Sequence, residues 1–202
     1  MAQLSQAKTL GGVGSILMLL AVIPVVGWVL SIAGAIMVLL AIKHVSDIVQ
    51  DKSIFNNMVI AIVLSIIGVV VGVAVIFGTM FTTLGLGAYA GRFPSFSTPP
   101  TFPAGDWMGL MLGALTGLAI IWVLLLVSAI FVRKSYETTA KKLGVSMFGT
   151  AGLLYLIGAA LTIVLVGFVL LFVALILNIV AFFSIPDQPM PMQASQPQPA
   201  TM

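Results

Sequence analysis

The chain contains no cysteine. Disulfides, thiolate catalysis, iron–sulfur clusters and lipid attachment to cysteine are therefore excluded. Charge is nearly as scarce: Asp, Glu, Lys and Arg make up 6% of 202 residues, against about 25% in an ordinary soluble domain. Three stretches, Asn57–Ala90, Trp107–Val132 and Val145–Ile185, carry no Asp, Glu, Lys, Arg or His at all. Proton-coupled transport loses its usual intramembrane relay there, and a voltage sensor loses its row of arginines. No acid–base or nucleophile–base pair presents itself for hydrolysis. There is one histidine, and one His without a second His or Cys makes a poor transition-metal site. The formal net charge of +3 sits in loops, and no nucleic-acid motif accompanies it, so nucleic acid is not expected as a partner. No residue is assigned to catalysis, to a cofactor or to a metal.

What the chain does contain is apolar length. Hydrophobic residues make up 61% of it, and runs of about 18 or more such residues read as membrane-spanning helices. The expected class is all-α and integral to the membrane, with residues 1–185 as one polytopic domain. One Lys followed by an apolar run resembles a signal peptide. The apolar character resumes after Pro24, so the segment reads as a retained span. A single helix over the whole first apolar region would be about 48 Å long, too long for a hydrocarbon core of about 30 Å. The breaker "PVVG" therefore divides it into a hairpin. Six helices are expected, at about 4–23, 27–45, 58–81, 107–132, 146–164 and 167–185. Asn56 and Asn57 are N-cap candidates for the third helix and Asp106 for the fourth. "RKSYETTAKKLG" reads as a polar connection or a short interfacial helix. The Pro/Gln/Met-rich tail, 186–202, is expected to be disordered.

Six crossings with a cytoplasmic N-terminus put Lys8, Lys43, Lys52, Arg133, Lys134, Lys141 and Lys142 on one side and only Arg92 on the other. That is a positive-inside pattern, with both termini cytoplasmic in a cell membrane. The same charges would keep their sides if each terminal hairpin dipped into the bilayer and returned. Trp28 favours crossing, because a crossing hairpin places it at the outer interface, level with Trp107.

Two blocks recur. Ala7, Lys8, Leu10 and Gly11 match Ala140, Lys141, Leu143 and Gly144. Val26, Gly27, Val29 and Leu30 match Val166, Gly167, Val169 and Leu170. Either the terminal hairpins are duplicated in parallel orientation, or apolar helices drawn from few residue types look alike by chance.

Gly68 and Gly72, and Gly109, Gly113 and Gly117, lie four apart. That spacing flattens a helix face for close packing, within the bundle or between copies; glycine is also simply common in membrane helices. His44, Asp47 and Asp51 share a helical face and form a weak interfacial candidate, against the plainer reading of a solvated helix end with Lys43 and Asp47 paired. Glu137 and Lys141 are a second such pair. Arg133, Lys134, Lys141 and Lys142 are placed to meet anionic headgroups. Asn178 is the polar group deepest in the apolar runs. It is suited to an interhelical hydrogen bond or, less simply, to lining a solute path.

"LSQAKTLGGVGSIL", "IPVVGW", "VSDI", "DKSIFNN", "RKSYE", "TAGLLYLIGA" and "AFFSIP", in that order between Leu4 and Pro186, resemble an archaeal membrane-protein family called domain of unknown function 996. The resemblance implies an archaeal source and a polytopic membrane location, and it carries no activity or functional residue. The leading expectation is a non-enzymatic structural or partner-binding role, with a membrane-protein partner or a second copy. The alternatives are a passive channel or facilitator for a small or apolar solute and, more weakly, an interfacial lipid-processing enzyme using His44 and Asp47.

Overall fold

The computed structural model describes residues 2–24, 26–83 and 107–186. Arg92, Asp106, the Pro-rich loop between the third and fourth helices and the C-terminal tail lie outside the described residues, as does the Trp28 side chain. The rest forms six α-helices: α1 (Ala2–Leu19), α2 (Val26–Ile48), α3 (Lys52–Thr83), α4 (Trp107–Leu143), α5 (Ser146–Leu161) and α6 (Val166–Phe183). Short 3-10 turns, Leu20–Val22 and Thr162–Val164, close the two terminal hairpins. Five of the helices are long and apolar enough to cross a membrane. The exception is α1, whose first half carries Gln3, Ser5, Gln6 and Lys8. An all-helical chain with this much apolar length is a membrane protein by the same argument.

The long pair α3–α4 forms the spine. Ile54, Ala61 and Gly68 of α3 lie seven apart and face α4, the repeat of helices that wrap with a left-handed crossing. The Ser135 hydroxyl donates to the Ile54 carbonyl and the Ser128 hydroxyl to the Ala61 carbonyl, each at 2.8 Å. Hairpin α1–α2 meets the spine through α2, hairpin α5–α6 meets it through α5, and α1 packs on α6. At the end where the chain passes between hairpins and spine, Phe148 stacks edge-on against Tyr136 (5.8 Å between centroids) and Phe182 (5.0 Å). Ile42, Val45, Ile54 and Ile185 complete this buried base.

Several boundaries differ from the sequence expectation. α3 begins at Lys52, so Asn56 and Asn57 lie inside it. Asp51 takes the cap instead, accepting from the Ser53 N–H at 3.1 Å and the Ser53 hydroxyl at 2.6 Å. α4 does not stop near Val132 but runs through "RKSYETTAKKL" to Leu143. Ser135, Tyr136, Thr139 and Leu143 recur at helical spacing and are buried, so this polar-looking segment has an inner face. Gly144, at φ 69°, ends it.

The repeated blocks fare differently. Gly27 and Gly167 take the same place, at the start of the second arm, where each packs on the turn before it. A Cβ on Gly27 would strike the Ala21 carbonyl, and one on Gly167 the backbone of Leu161 and Thr162. The other block has two structures: Ala7–Gly11 is interior to α1, with Gly11 under the Phe182 ring, whereas Ala140–Gly144 is the end of α4 and its turn.

Candidate functional site

Within the apolar part of the fold, the helices enclose a cavity of about 380 Å³, inside the range of roughly 300–1,000 Å³ usual for ligand pockets. All six helices contribute to its wall, α1 only through Met18. Ile32 and Ile36 of α2 and Ile66 of α3 belong to the lining and are also exposed on the outside. The mouth is therefore the seam between α2 and α3, and it faces sideways.

The lining is apolar apart from Ser31, Ser65, Ser128, Tyr136, Tyr155 and Asn178. It contains no carboxylate, imidazole, amine or guanidinium among the described residues. Its serine donors are largely spent: Ser128 on the Ala61 carbonyl and Ser65 on the Ile62 carbonyl.

Asn178, 4% exposed, is the decisive group. Its Nδ2 donates to the Ser15 hydroxyl oxygen at 3.0 Å, joining α6 to α1. Ser15 in turn donates to the Gly11 carbonyl at 2.8 Å. With the Ser15 proton committed there, its oxygen can only accept, so Nδ2 must face Ser15 and Oδ1 must face away. Oδ1 has no hydrogen-bond partner among the described residues. Tyr136 lines the same cavity, but among the described residues no donor reaches Oδ1 with ordinary geometry. Asn178 is one of the lining residues, so the apolar wall of the cavity holds one buried, oriented acceptor.

The other sequence candidates fall into separate places. Gly68, Gly72, Gly113 and Gly117 lie at the α3–α4 contact: a Cβ on Gly72 or on Gly117 would come within 2.7 Å of the other's carbonyl oxygen. Gly109 is exposed, with only Thr83 nearby among the described residues, at 3.8 Å. His44, Asp47 and Asp51 are not gathered. His44 Nδ1–H donates to the Leu40 carbonyl at 2.8 Å, the Asp47 carbonyl accepts from Gln50, and Asp51 caps α3 with Lys142 at 3.7 Å. No cluster of three His, Cys, Asp or Glu able to hold a metal occurs among the described residues. Lys141 pairs with Glu137 at 2.8 Å, and Lys134 lies over the Phe131 ring at 5.4 Å.

Sequence reasoning passed over Ser15, Ser65 and Ser128. The signal was present for one of them. Ser128 and Ser135 are seven apart, as are the carbonyls of Ala61 and Ile54 that they bind. Ser15 gave no comparable sign, because its partner is 163 positions away.

The chain is 35% identical over 185 residues to an uncharacterized protein, MJ1644, of Methanocaldococcus jannaschii, covering 92% of this chain and 94% of that one. No solved structure matches it. A family model described as a protein of unknown function, DUF996, matches residues 30–176, and the chain belongs to that family.

Proposed function

We propose that this is a multi-pass, non-enzymatic protein of the cell membrane that binds, within the hydrocarbon, an apolar molecule bearing a hydrogen-bond donor. The observation that carries the reading is the cavity with its sideways mouth and the unpartnered Asn178 Oδ1. An acceptor left unsatisfied in a dry site costs about 1–3 kcal/mol, and a ligand hydroxyl would recover it. The absence of ionisable groups other than tyrosine from the lining supports binding over turnover. The positive-inside pattern supports a cytoplasmic base with both termini on that side. Arg133 and Lys134 then stand at the headgroup level of the inner leaflet, with Lys141 and Lys142 deeper in the cytoplasm.

Thermal unfolding of the full chain in nanodiscs, with decanol or decane added, tests this. Bound ligand stabilises the native state in proportion to occupancy and affinity. Decanol is expected to raise Tm more than decane, and Asn178→Leu to erase the difference. Because that variant also loses the Ser15 contact, Ala35→Phe serves as a second probe: Ala35 lines the cavity on α2 between Ile32 and Ile36, so a phenyl ring there should fill the mouth and abolish both shifts. Equal shifts with decanol and decane in the unaltered protein would sink the donor requirement. Shifts untouched by Ala35→Phe would sink the cavity as the site.

A further inference from the structure

The contacts between helices fix which residues share a level. Ser135 on the Ile54 carbonyl sets Asn57 level with Arg133. Gly152 lies against the Arg133 backbone. The crossing of Gly14 against Gly34 and Val38 sets Lys8 level with Lys43, and the Ser46–Asp51 hydrogen bond ties that stretch of α2 to the start of α3. Polar and cationic residues from α1, α2, α3 and α4 thus form one belt. A charge within the hydrocarbon is expensive, so the belt marks one membrane surface.

Distances above the belt then divide the helices into two classes. At about 1.5 Å per residue, α4 rises about 39 Å from Arg133 to Trp107, and α3 about 39 Å from Asn57 to Thr83. The hairpins rise much less: about 21 Å from Lys8 to Val22, about 25 Å from Lys43 to Val26, and about 18 Å from Gly152 to Val164. The hydrocarbon core is about 30 Å thick. The spine therefore exceeds it and the hairpins fall short. The Trp122 indole, donating to the Ala160 carbonyl at 3.3 Å, fixes the offset directly. α5 and its 3-10 turn end one helical turn beyond Ala160, while α4 continues about 22 Å beyond Trp122. Trp28, beside the first hairpin's tip, is accordingly not level with Trp107.

The chemistry of the tips is a second, independent observation. Turns in water draw on Gly, Asn, Asp and Ser. Here the second tip reads Ile163, Val164, Leu165 and Val166, with Ile163 70% and Leu165 74% exposed. Leu165 sits at φ 61°, a conformation that an aqueous turn would give to Gly or Asn. The described residues of the first tip, Ile23, Pro24 and Val26, are equally apolar. Several of the turn amides are bonded within the turns, which lowers the cost of placing them in hydrocarbon. Leu165 N–H donates to Thr162, Phe168 to Leu165, Ile23 to Leu20 and Gly27 to Ile23, while Pro24 has no N–H to place.

We infer that both terminal hairpins are re-entrant: they enter from the basic side, pass the midplane and end among the acyl chains of the far leaflet, and only α3 and α4 cross. The surface so defined is the pair of apolar tips, and its partner is lipid hydrocarbon.

The cysteine-free chain permits a direct test. Single cysteines are introduced by Ile23→Cys and Val164→Cys at the tips, Thr82→Cys at the far end of α3 and Lys141→Cys at the base, each in the full chain in sealed proteoliposomes of one orientation. A membrane-impermeant maleimide should label Thr82→Cys from one face only and Lys141→Cys from the other only. Ile23→Cys and Val164→Cys should label from neither face, yet react with a lipid-soluble maleimide, which shows that the thiols are present and reactive. Labelling of either tip at the rate of Thr82→Cys and from its face would mean that hairpin crosses. Labelling of a tip from the Lys141 face would mean it is not in the hydrocarbon. Either result overturns the inference and leaves the cavity reading to its own test.

Discussion

Below the hairpin tips, α3 and α4 are two helices among six; above them, among the described residues, each has only the other. In the lower part the spine buries bulk, with Ile54, Met58 and Tyr136 packed under Phe148 and two serine hydroxyls crossing from α4 to α3. In the upper part the inward positions of α4 are Leu110, Gly113, Ala114 and Gly117, and everything between them is exposed. The contact there is backbone to backbone at Gly72 and Gly117, and Thr79 against Gly113. Lipid is as apolar as any side chain, so helices in it gain nothing from hiding leucine from water. They hold together by close approach and hydrogen bonds. Where neighbours supply bulk, the spine carries bulk; where only lipid is available, it narrows to glycine.

Alanine scanning of the spine glycines is the sharpest way to break this comparison. A Cβ at Gly117 meets the Gly72 carbonyl oxygen at 2.7 Å, backbone that cannot step aside, and the reverse holds for Gly72. Gly117→Ala and Gly72→Ala should each cost about 1–3 kcal/mol, the usual penalty of overpacking. Among the described residues, Gly109 has only ordinary contacts and Gly78 has nothing within 4 Å. Gly109→Ala and Gly78→Ala should therefore gain about 0.5–1 kcal/mol from helix propensity alone. Reversible unfolding in mixed detergent would read the sign at each position. A loss at Gly109 equal to that at Gly117 would extend the seam to the far end; no loss at Gly117 would dissolve it.

The lower half predicts a smaller effect. Ser128→Ala removes a hydroxyl that bridges α4 to the Ala61 carbonyl. The carbonyl keeps its bond within α3, and the neighbouring bulk keeps the helices together. Double-mutant measurements of such bonds in a membrane protein average about 0.6 kcal/mol, and a loss of that order is expected in the same unfolding assay. A loss matching Gly117→Ala would mean that the hydroxyls, and not the packed base, hold the lower half.

Much of the arrangement was legible in the residues. The apolar runs gave the helical membrane class, the break at Pro24 gave the first hairpin, and glycine spacing pointed to Gly68, Gly72, Gly113 and Gly117. Gly109 has the same spacing but lies where no described residue approaches closely, and spacing alone cannot distinguish contact from exposure. The extension of α4 past Val132 was hidden because its residues are polar by type, although Ser135 and Thr139 are buried by position. The cavity was hidden for a different reason. Asn178 stood out as a polar residue in an apolar helix, but its orientation depends on Ser15 and Gly11, far away in sequence. The repeat misled in part: the glycine turns correspond in space, whereas "AKTLGG" and "AKKLGV" do not.

The smallest expected effect concerns the turn that joins α2 to the spine. Asp51 caps α3 there, and hydrogen bonds from the Ser53 hydroxyl and then the Ser53 N–H, with Lys142 adding its charge, hold its carboxyl below the usual carboxylate range. A depressed carboxyl pKa stabilises the fold at pH values above the ordinary value of about 3.9, and that contribution is lost as pH falls toward the folded-state value. Asn caps a helix as well as Asp but does not titrate. Asp51→Asn should therefore unfold at nearly the same temperature as the unaltered chain at neutral pH. Between about pH 5 and pH 3 the unaltered chain should lose more Tm than the variant does. Parallel curves would mean that the turn is held by packing at Ile54 alone, and that the cap is incidental to the junction between the two regions.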